Sequence, residues 1–338
     1  MTQNFSPLLG ITMGEPSGIG GEICIKAWMN KNSETPIFFL LDSPERIQKL
    51  AFDTGLACRT REISKPEDAK EVFSIALPIL PLSRQVVATP GKPCSGNASA
   101  VIESIDRAIE LAKSGVIDAI VTNPIQKETL FATGFSHPGH TEYLAEKAGE
   151  GQSVMMIASE TLRVVPVTTH IPLLQAPSEI STERILYCAR TTNQALKDYF
   201  KIPSPRLVVA GINPHAGENG YFGSEDIEII KPAVEILKNE GLDINGPLSA
   251  DSMFHDKVRT TYDAAICMYH DQALIPIKTI AFEDSVNVTL GLSIIRTSPD
   301  HGTALDLAAT GNASSSSLEA SINLAAQMAL SLRQQQTL

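Results

Sequence analysis

Three histidines follow apolar segments that have the composition of buried strands. They are His170, His215 and His270, and each lies at or just after the predicted carboxyl end of its strand. In open α/β sheets, ligands bind outside the carboxyl ends of the strands, so three imidazoles could converge there. Neutral imidazoles are good ligands for zinc, cobalt and other divalent ions, and a catalytic site keeps one coordination position open. The pattern predicts a divalent-metal site, against the alternative of three unrelated loop histidines.

Two cationic side chains stand in apolar surroundings further along the chain. Lys278 ends the segment LIPIK, and Arg296 ends the segment LSIIR. The guanidinium fork of arginine matches the geometry of a phosphate or carboxylate group. His140 and Thr141 lie at the start of a predicted helix, where they could help to bind an anion or could simply cap the helix. These residues predict a site for a phosphorylated substrate; for the lysine, the alternative is a side chain that extends to the surface.

Apolar segments alternate with amphipathic helical segments along the chain. The segment 97–114 has apolar residues at helical spacing and ends at Gly115, a residue type that often terminates helices. Further helices are predicted at 181–200 and 225–239. This alternation predicts an α/β fold with mixed, mostly parallel sheets and helices on both faces.

The chain length of 338 residues exceeds that of most single domains, so two domains are expected. No low-complexity linker divides the chain, which favours two interleaved α/β domains with a cleft between them. We assign residues 1–130 and 295–338 to the first domain. Residues 131–294 form the second domain, which carries the predicted histidine ligands.

Composition excludes several classes of protein. The net charge of −11 argues against a nucleic-acid binder, which needs a basic face. The five cysteines are scattered without a C-x-x-C pair, which is typical of a reduced cytosolic protein. No apolar segment reaches the length of a membrane span, and the N-terminus lacks the features of a signal peptide. We therefore expect a cytoplasmic protein that binds neither nucleic acid nor membrane.

The glycine-rich segment 14–21 lies between a predicted strand and a predicted helix, as dinucleotide-binding loops do. It does not match G-x-G-x-x-G, and it lacks the lysine of a Walker A loop. It is therefore weak evidence for NAD binding. A second segment, 300–303, is interpreted as the start of a helix.

A set of motifs in fixed order extends over nearly the whole chain. The motifs are GEPSGIG at 14–20, GHTE at 139–142, the strand-end His170, NPHAGE at 213–218, MYHDQ at 268–272, NVTLGL at 287–292, RTS at 296–298 and DHGTA at 300–304. With these motifs, the chain resembles the 4-hydroxythreonine-4-phosphate dehydrogenase family of pyridoxal phosphate biosynthesis. The resemblance implies the fold of the isocitrate and isopropylmalate dehydrogenases, which hold NAD without the G-x-G-x-x-G fingerprint.

The resemblance also implies ligands and partners. The three histidines would bind a divalent metal (zinc, cobalt or magnesium) in an active site shared across a homodimer interface, which the second domain would form. The implied substrate contacts are His140, Thr141, Lys278, Asn287 and Arg296.

The cofactor candidates come from a segment that is similar to the adenosine pocket of the isocitrate and isopropylmalate dehydrogenases. Those enzymes carry His-Gly-Thr/Ser-Ala there, which corresponds to His301, Gly302 and Thr303 and implies NAD or NADP as cofactor. Two positions depart from that pattern, because Leu305 replaces a proline and Ser314 replaces an asparagine.

The implied reaction is the NAD-dependent oxidation and decarboxylation of 4-phosphohydroxy-L-threonine to 3-amino-2-oxopropyl phosphate. Such a reaction needs a general base, for which Lys278, Asp251 and Asp271 are all candidates. Two other functions stay open. A sister dehydrogenase would act on D-threonate or D-erythronate 4-phosphate, and a metal-dependent hydrolase of a phosphorylated metabolite would need no NAD.

Overall fold

Short apolar segments form the strands, as the sequence pattern predicts, and the computed structural model describes residues 5–132, 134, 140–148 and 152–335. The strands in these ranges are β1 Leu8–Thr12, β2 Ile37–Asp42, β3 Thr60–Glu62, β4 Leu77–Pro81, β5 Ala119–Thr122, β6 Val154–Ala158, β7 Arg163–Pro166, β8 Arg206–Ala210, β9 Asp243–Leu248, β10 Ala264–Cys267, β11 Val286–Leu290 and β12 Arg296–Pro299. They belong to two compact units. The first unit contains the described residues up to Ser153 and from Leu292 onward, and the second contains Val154–Gly291.

Helices connect most of these strands. The α-helices are α1 Gly20–Met29, α2 Pro44–Asp53, α3 Ala69–Val72, α4 Ala98–Lys113, α5 Lys127–Phe131, α6 His140–Ala148, α7 Ala176–Glu179, α8 Thr182–Asp198, α9 Lys231–Asn239, α10 Ala250–Met253, α11 Asp256–Arg259, α12 His270–Ile280 and α13 Ser316–Gln335. The 3-10 segments are Pro66–Asp68, Ser95–Asn97, Leu173–Gln175, Pro214–Gly220 and Leu305–Leu307, and Asp226–Ile230 is a π-helix that continues into α9. In the described ranges, no helix has the length and hydropathy needed to cross a membrane.

The sheet of the first unit is parallel throughout. Its strand order is β3-β4-β2-β1-β5-β12. Strand β2 (IFFLLD) is an almost continuous apolar run, which is characteristic of parallel strands covered by helices on both faces. Helix α4 buries Val101, Ile105 and Ala108 in the core of this unit and ends at Lys113, shortly before Gly115 with φ +72°. Full burial of a side chain the size of Val101 or Ile105 contributes about 1.5–3 kcal/mol.

The sheet of the second unit is mixed, with the order β11-β6-β7-β10-β8-β9. Strand β6 is antiparallel to both of its neighbours, β11 and β7, and β7, β10, β8 and β9 are parallel. The carboxyl ends of β7, β10 and β8 are therefore adjacent at one edge of the sheet. The predicted α/β fold with mixed, mostly parallel sheets is confirmed, while the domain boundaries assigned from the sequence stay a prediction.

The prediction that a helix starts at 300–303 is wrong. Asp300 and His301 form a bend, residues 302–304 have no regular secondary structure, and only the short 3-10 turn Leu305–Leu307 follows. Ala304 adopts the left-handed region with φ +41°, and the Thr303 carbonyl accepts a hydrogen bond from the Ile19 N–H at 3.1 Å. Because that carbonyl is bonded to another segment and the next residue is left-handed, a right-handed helix cannot begin here.

Candidate active site

Two of the predicted metal ligands, His170 and His270, lie close together in the second unit. Their strands β7 and β10 are parallel neighbours, and the Val167 N–H extends the pairing by donating to the Cys267 carbonyl at 2.8 Å. His270 is the first residue of α12. The centroids of the two imidazole rings are 5.8 Å apart. The structure thus brings these two histidines together at the carboxyl edge of the sheet.

The imidazole of His270 is oriented by its neighbour Asp271. The His270 Nδ1 lies 2.7 Å from Asp271 Oδ1, and the His270 side chain is 35% exposed. When Nδ1–H donates to the carboxylate, the lone pair of Nε2 is left for a ligand, as is common for histidines that bind metals. The donor chemistry of this pair therefore fits a divalent cation.

The third histidine, His215, lies on the turn Pro214–Gly220 that follows β8. His215 and Ala216 have φ of 53° and 52°, in the left-handed region that side chains with a Cβ rarely adopt. Each such residue costs about 1–2 kcal/mol. The buried Asp226 carboxylate stabilises the entry to the turn, because it accepts hydrogen bonds from the N–H groups of Ile212 at 3.0 Å and Asn213 at 3.2 Å.

Asp251 lies near enough to His215 to be affected by its charge. A hydrogen bond from Ser249 at 2.5 Å, and to a lesser extent His215, hold the pKa of the Asp251 carboxyl below its usual value. Asp251 is exposed on α10. Among the residues that the structure describes, no three His, Cys, Asp or Glu side chains lie close enough to hold a metal ion together. The adjacent strand ends are in place, but His215 is not grouped with the other two histidines.

Lys278 and Asn287 are also in the second unit. Lys278 lies on α12, two turns after His270, and its Nζ is 5.3 Å from the centroid of the Phe282 ring. Both Lys278 and Asn287 are half-buried. Asn287 lies on β11, opposite Ile157 of β6. Each is held on a regular element rather than on a loop, which limits the positions that its polar group can reach.

Arg296 is a buried residue of the first unit. It begins β12, is 3% exposed, and donates from Nε and Nη2 to Thr122 Oγ1 at 3.1 and 2.6 Å. Thr122 is the last residue of the neighbouring strand β5. This pair of hydrogen bonds fixes the plane of the guanidinium. His140 and Thr141 form the first turn of α6, and their side chains lie outside the described part of the chain.

The segment of His301, Gly302 and Thr303 is held by backbone contacts within the first unit. The His301 Nδ1 lies 3.0 Å from the Gly302 carbonyl, so Nδ1 carries the proton and Nε2 is an acceptor. That Nε2 atom is buried and has no hydrogen-bond partner among the described residues. A buried acceptor without a partner is costly, and the amino group of a nucleotide base would satisfy it. The segment therefore fits a nucleotide.

Two glycines lie against this segment: Gly18 of the glycine-rich segment 14–21, and Gly91, which the sequence pattern did not single out. A Cβ on Gly18 would lie 2.8 Å from the Thr303 carbonyl oxygen, and one on Gly91 would lie 2.9 Å from that of Leu305. The Gly91 N–H also donates to the Ser17 carbonyl at 2.8 Å. The glycine-rich segment 14–21 thus supports the His301 segment by close backbone approach, a role that glycine spacing alone does not reveal.

Comparison with known proteins identifies relatives over most of the chain. The model of the family "Pyridoxal phosphate biosynthetic protein PdxA" matches residues 34–325. A 4-hydroxythreonine-4-phosphate dehydrogenase from Methylorubrum extorquens is 49% identical over 329 residues, which cover 95% of this chain and 94% of the relative.

Two solved structures have the same fold. The 4-hydroxythreonine-4-phosphate dehydrogenase from Klebsiella pneumoniae superposes with a TM-score of 0.86 and 36% identity, and the match covers 97% of this chain and 99% of that one. A terephthalate 1,2-cis-dihydrodiol dehydrogenase from Burkholderia xenovorans has a TM-score of 0.65 and 26% identity over 96% and 98% of the two chains. All three of these relatives are named as dehydrogenases.

Proposed function

The chain belongs to the pyridoxal phosphate biosynthetic protein PdxA family, and we propose that it catalyses the dehydrogenation for which its relatives are named. The proposed reaction is the NAD- and divalent-metal-dependent oxidation and decarboxylation of 4-phosphohydroxy-L-threonine to 3-amino-2-oxopropyl phosphate. The observation that carries the proposal is the placement of three histidines after the adjacent strands β7, β10 and β8 in a chain of this family.

The metal ligands of the proposed enzyme are His170, His215 and His270. A bound zinc, cobalt or magnesium ion would supply Lewis-acid polarisation of the substrate oxygen atoms. Imidazole donors favour zinc or cobalt over magnesium. The Asp271 carboxylate, 2.7 Å from His270 Nδ1, holds that ring in the orientation that leaves Nε2 for a ligand.

The substrate contacts of the proposed enzyme are assigned by residue chemistry. The Arg296 guanidinium, fixed by Thr122, presents a planar fork suited to the phosphate or the carboxylate of the substrate. Lys278 and Asn287 would supply a charge and an amide. His140 and Thr141 would act from the first turn of α6.

Removal of a hydride requires that the substrate hydroxyl also lose its proton. The candidates for the proton acceptor are Lys278, Asp251 and Asp271. The lowered pKa of Asp251 makes it a weaker base, and Asp271 is hydrogen-bonded to His270. Lys278 is therefore the first candidate to test, and its replacement by Met should lower kcat more than it raises KM.

The proposed hydride acceptor is NAD or NADP, held by His301, Gly302 and Thr303. The buried Nε2 of His301 supports this assignment because it needs a donor. Gly302 has open space around its Cα, so a ligand can approach its backbone closely.

We also propose that the enzyme is a cytoplasmic homodimer with its active site at the subunit interface. Large apolar side chains of the second unit are exposed, including Leu174 at 95%, Tyr221 at 89% and Phe282 at 73%. Apolar side chains that are exposed in one subunit would be covered where two subunits meet. The five free cysteines are consistent with a reducing compartment.

A panel of substrates tests the proposal against its nearest alternative. The relative from Burkholderia xenovorans acts on a dihydrodiol, which demonstrates that this fold serves dehydrogenases with different substrates. The enzyme should reduce NAD with 4-phosphohydroxy-L-threonine at a much higher kcat/KM than with D-threonate or D-erythronate 4-phosphate. The reverse order would assign it to the sugar-acid phosphates instead.

A further inference from the structure

A single buried amide connects two of the strand ends that carry the histidines. Gln272 lies in the first turn of α12, two residues after His270, and is 8% exposed. Its Oε1 accepts a hydrogen bond from the Met268 N–H at 2.7 Å, and its Nε2 donates to the Gly211 carbonyl at 2.7 Å. Met268 follows β10 and Gly211 follows β8, so this side chain joins the two strand ends.

Further buried hydrogen bonds extend the connection to the other loops. The Met268 carbonyl accepts from Thr168 Oγ1 at 2.8 Å, and Thr168 lies two residues before His170. Next to Gly211, the Ile212 N–H donates to Asp226, the carboxylate that also accepts from the Asn213 N–H at the entry to the turn of His215. Thr168 is 2% exposed and Asp226 is 1% exposed. A network of buried and partly buried hydrogen bonds therefore links the segments that carry all three histidines.

We propose that Gln272 is a positioning residue that sets the spacing of the three histidine loops, and with it the geometry of the metal site. This inference rests on the proposed metal-dependent function. A primary amide offers one acceptor and one donor, as Met268 N–H and Gly211 C=O require. A carboxylate would oppose the Gly211 carbonyl with a second acceptor, and an apolar side chain would leave both backbone groups without a partner.

Packing alone does not explain an amide at this position. The neighbouring Ala273 and Ile277 are fully buried in the apolar core of the second unit and anchor α12 there. An apolar residue in place of Gln272 would add to that core. The polar side chain instead fixes one loop N–H group and one loop carbonyl in a buried environment, where hydrogen bonds are stronger than in water.

Cobalt binding to the full-length protein tests the inference. The metal is removed with a chelator, and Co²⁺ is titrated into the wild type, Gln272→Glu and Gln272→Leu, with the dissociation constant and the visible absorption spectrum as readouts. We expect both variants to bind Co²⁺ about 10- to 100-fold more weakly, with altered d–d bands, because residues that orient metal ligands have effects of this size.

Asn97→Asp is the matched control. Asn97 is a buried amide of the first unit that likewise bridges a backbone N–H and a carbonyl, both of Val87, at 3.0 and 2.8 Å. Its replacement should lower the melting temperature and leave the Co²⁺ affinity and spectrum unchanged. Thr168→Val removes one hydrogen bond of the network without introducing a charge, and its Co²⁺ d–d bands should also change. If Gln272→Leu does not fold, Thr168→Val takes its place in the experiment.

The outcomes separate the inference from the proposed function. If His270→Ala loses Co²⁺ but the Gln272 and Thr168 variants bind it with wild-type affinity and spectrum, the inference is overturned and the metal site stands. If Asn97→Asp weakens Co²⁺ binding as much as Gln272→Glu does, the effect is general destabilisation and the inference is overturned as well. If the wild type binds no Co²⁺, or binds it as tightly as His270→Ala does, the metal site and the inference both fail.

Discussion

Replacement of Gly18 by alanine should destabilise the protein and weaken nucleotide binding together. The new Cβ would lie 2.8 Å from the Thr303 carbonyl oxygen and 3.2 Å from Thr303 Cβ. The Thr303 segment would have to move by roughly 0.6 Å to reach an ordinary contact distance of 3.4 Å. Overpacking of this kind costs about 1–3 kcal/mol. The same displacement should weaken NAD binding about tenfold, because misplacement by a fraction of an ångström is costly in a preformed site.

The measurements are chemical denaturation for stability and calorimetric titration for the NAD dissociation constant. Gly96→Ala is the control, because its Cβ would meet only Cys94 Sγ at 3.4 Å. That variant should match the wild type in both assays. If Gly18→Ala binds NAD and unfolds as the wild type does, the contact between the two segments does not support the nucleotide site. If it loses stability but keeps its NAD affinity, His301 to Thr303 do not hold the cofactor.

Three further predictions concern charge and chemistry elsewhere in the chain. Arg296→Lys should raise KM for the phosphorylated substrate at least about tenfold in steady-state assays, because lysine cannot form the two-pronged contact; an unchanged KM would exclude an anion-binding role. Thiol titration of the native protein should label the exposed Cys94 rapidly and leave Cys24 unmodified until denaturation, because burial raises the pKa of the Cys24 thiol to about 12. Burial alone would raise the pKa of Asp263, but hydrogen bonds from Arg206 hold it below its usual value. The ion pair therefore stabilises the folded protein by about 1 kcal/mol above the unfolded-state pKa near 3.9. This stabilisation is lost as pH falls through the folded-state pKa. Asp263→Asn should therefore destabilise the protein at pH 7, and the effect should diminish as pH falls through the folded-state pKa in denaturation experiments.

The strand ends that carry the histidines could be predicted from the sequence. Apolar runs such as VVPV before His170 and AAICM before His270 identify buried strands, and in a parallel sheet their carboxyl ends meet at one edge. The left-handed turn of His215 could not be predicted, because four of its residues with positive φ are not glycine. The carboxylate that stabilises the entry to it, Asp226, lies eleven positions further along the chain.

The sequence pattern did not predict helix α12, because Pro276 lies inside it. A proline inside a helix removes one backbone hydrogen bond and usually marks an end, yet α12 continues from His270 to Ile280. The helix is kept by the burial of Ala273 and Ile277, a tertiary effect that local propensity does not report. The role of Gln272 was missed for the same reason, since its two partners come from separate strands.

Contacts between distant segments also explain the wrong expectation at 300–303. Asp300 is a good residue type for a helix start, but the Thr303 carbonyl is bonded to Ile19, which lies 284 positions earlier in the chain. Local sequence patterns cannot report such a pairing. The same holds for Arg296, whose apolar context predicts a functional cation but does not predict its hydrogen bonds to Thr122.

The most direct test of the proposed reaction is an anaerobic assay of the purified enzyme with 4-phosphohydroxy-L-threonine and NAD. The proposal predicts one NADH and one CO2 for each substrate consumed, loss of both when a chelator removes the metal, and recovery when zinc or cobalt is restored. Substrate consumption without NADH would indicate the metal-dependent hydrolase, and NADH formation at an unchanged rate in the metal-free enzyme would contradict the role of the three histidines.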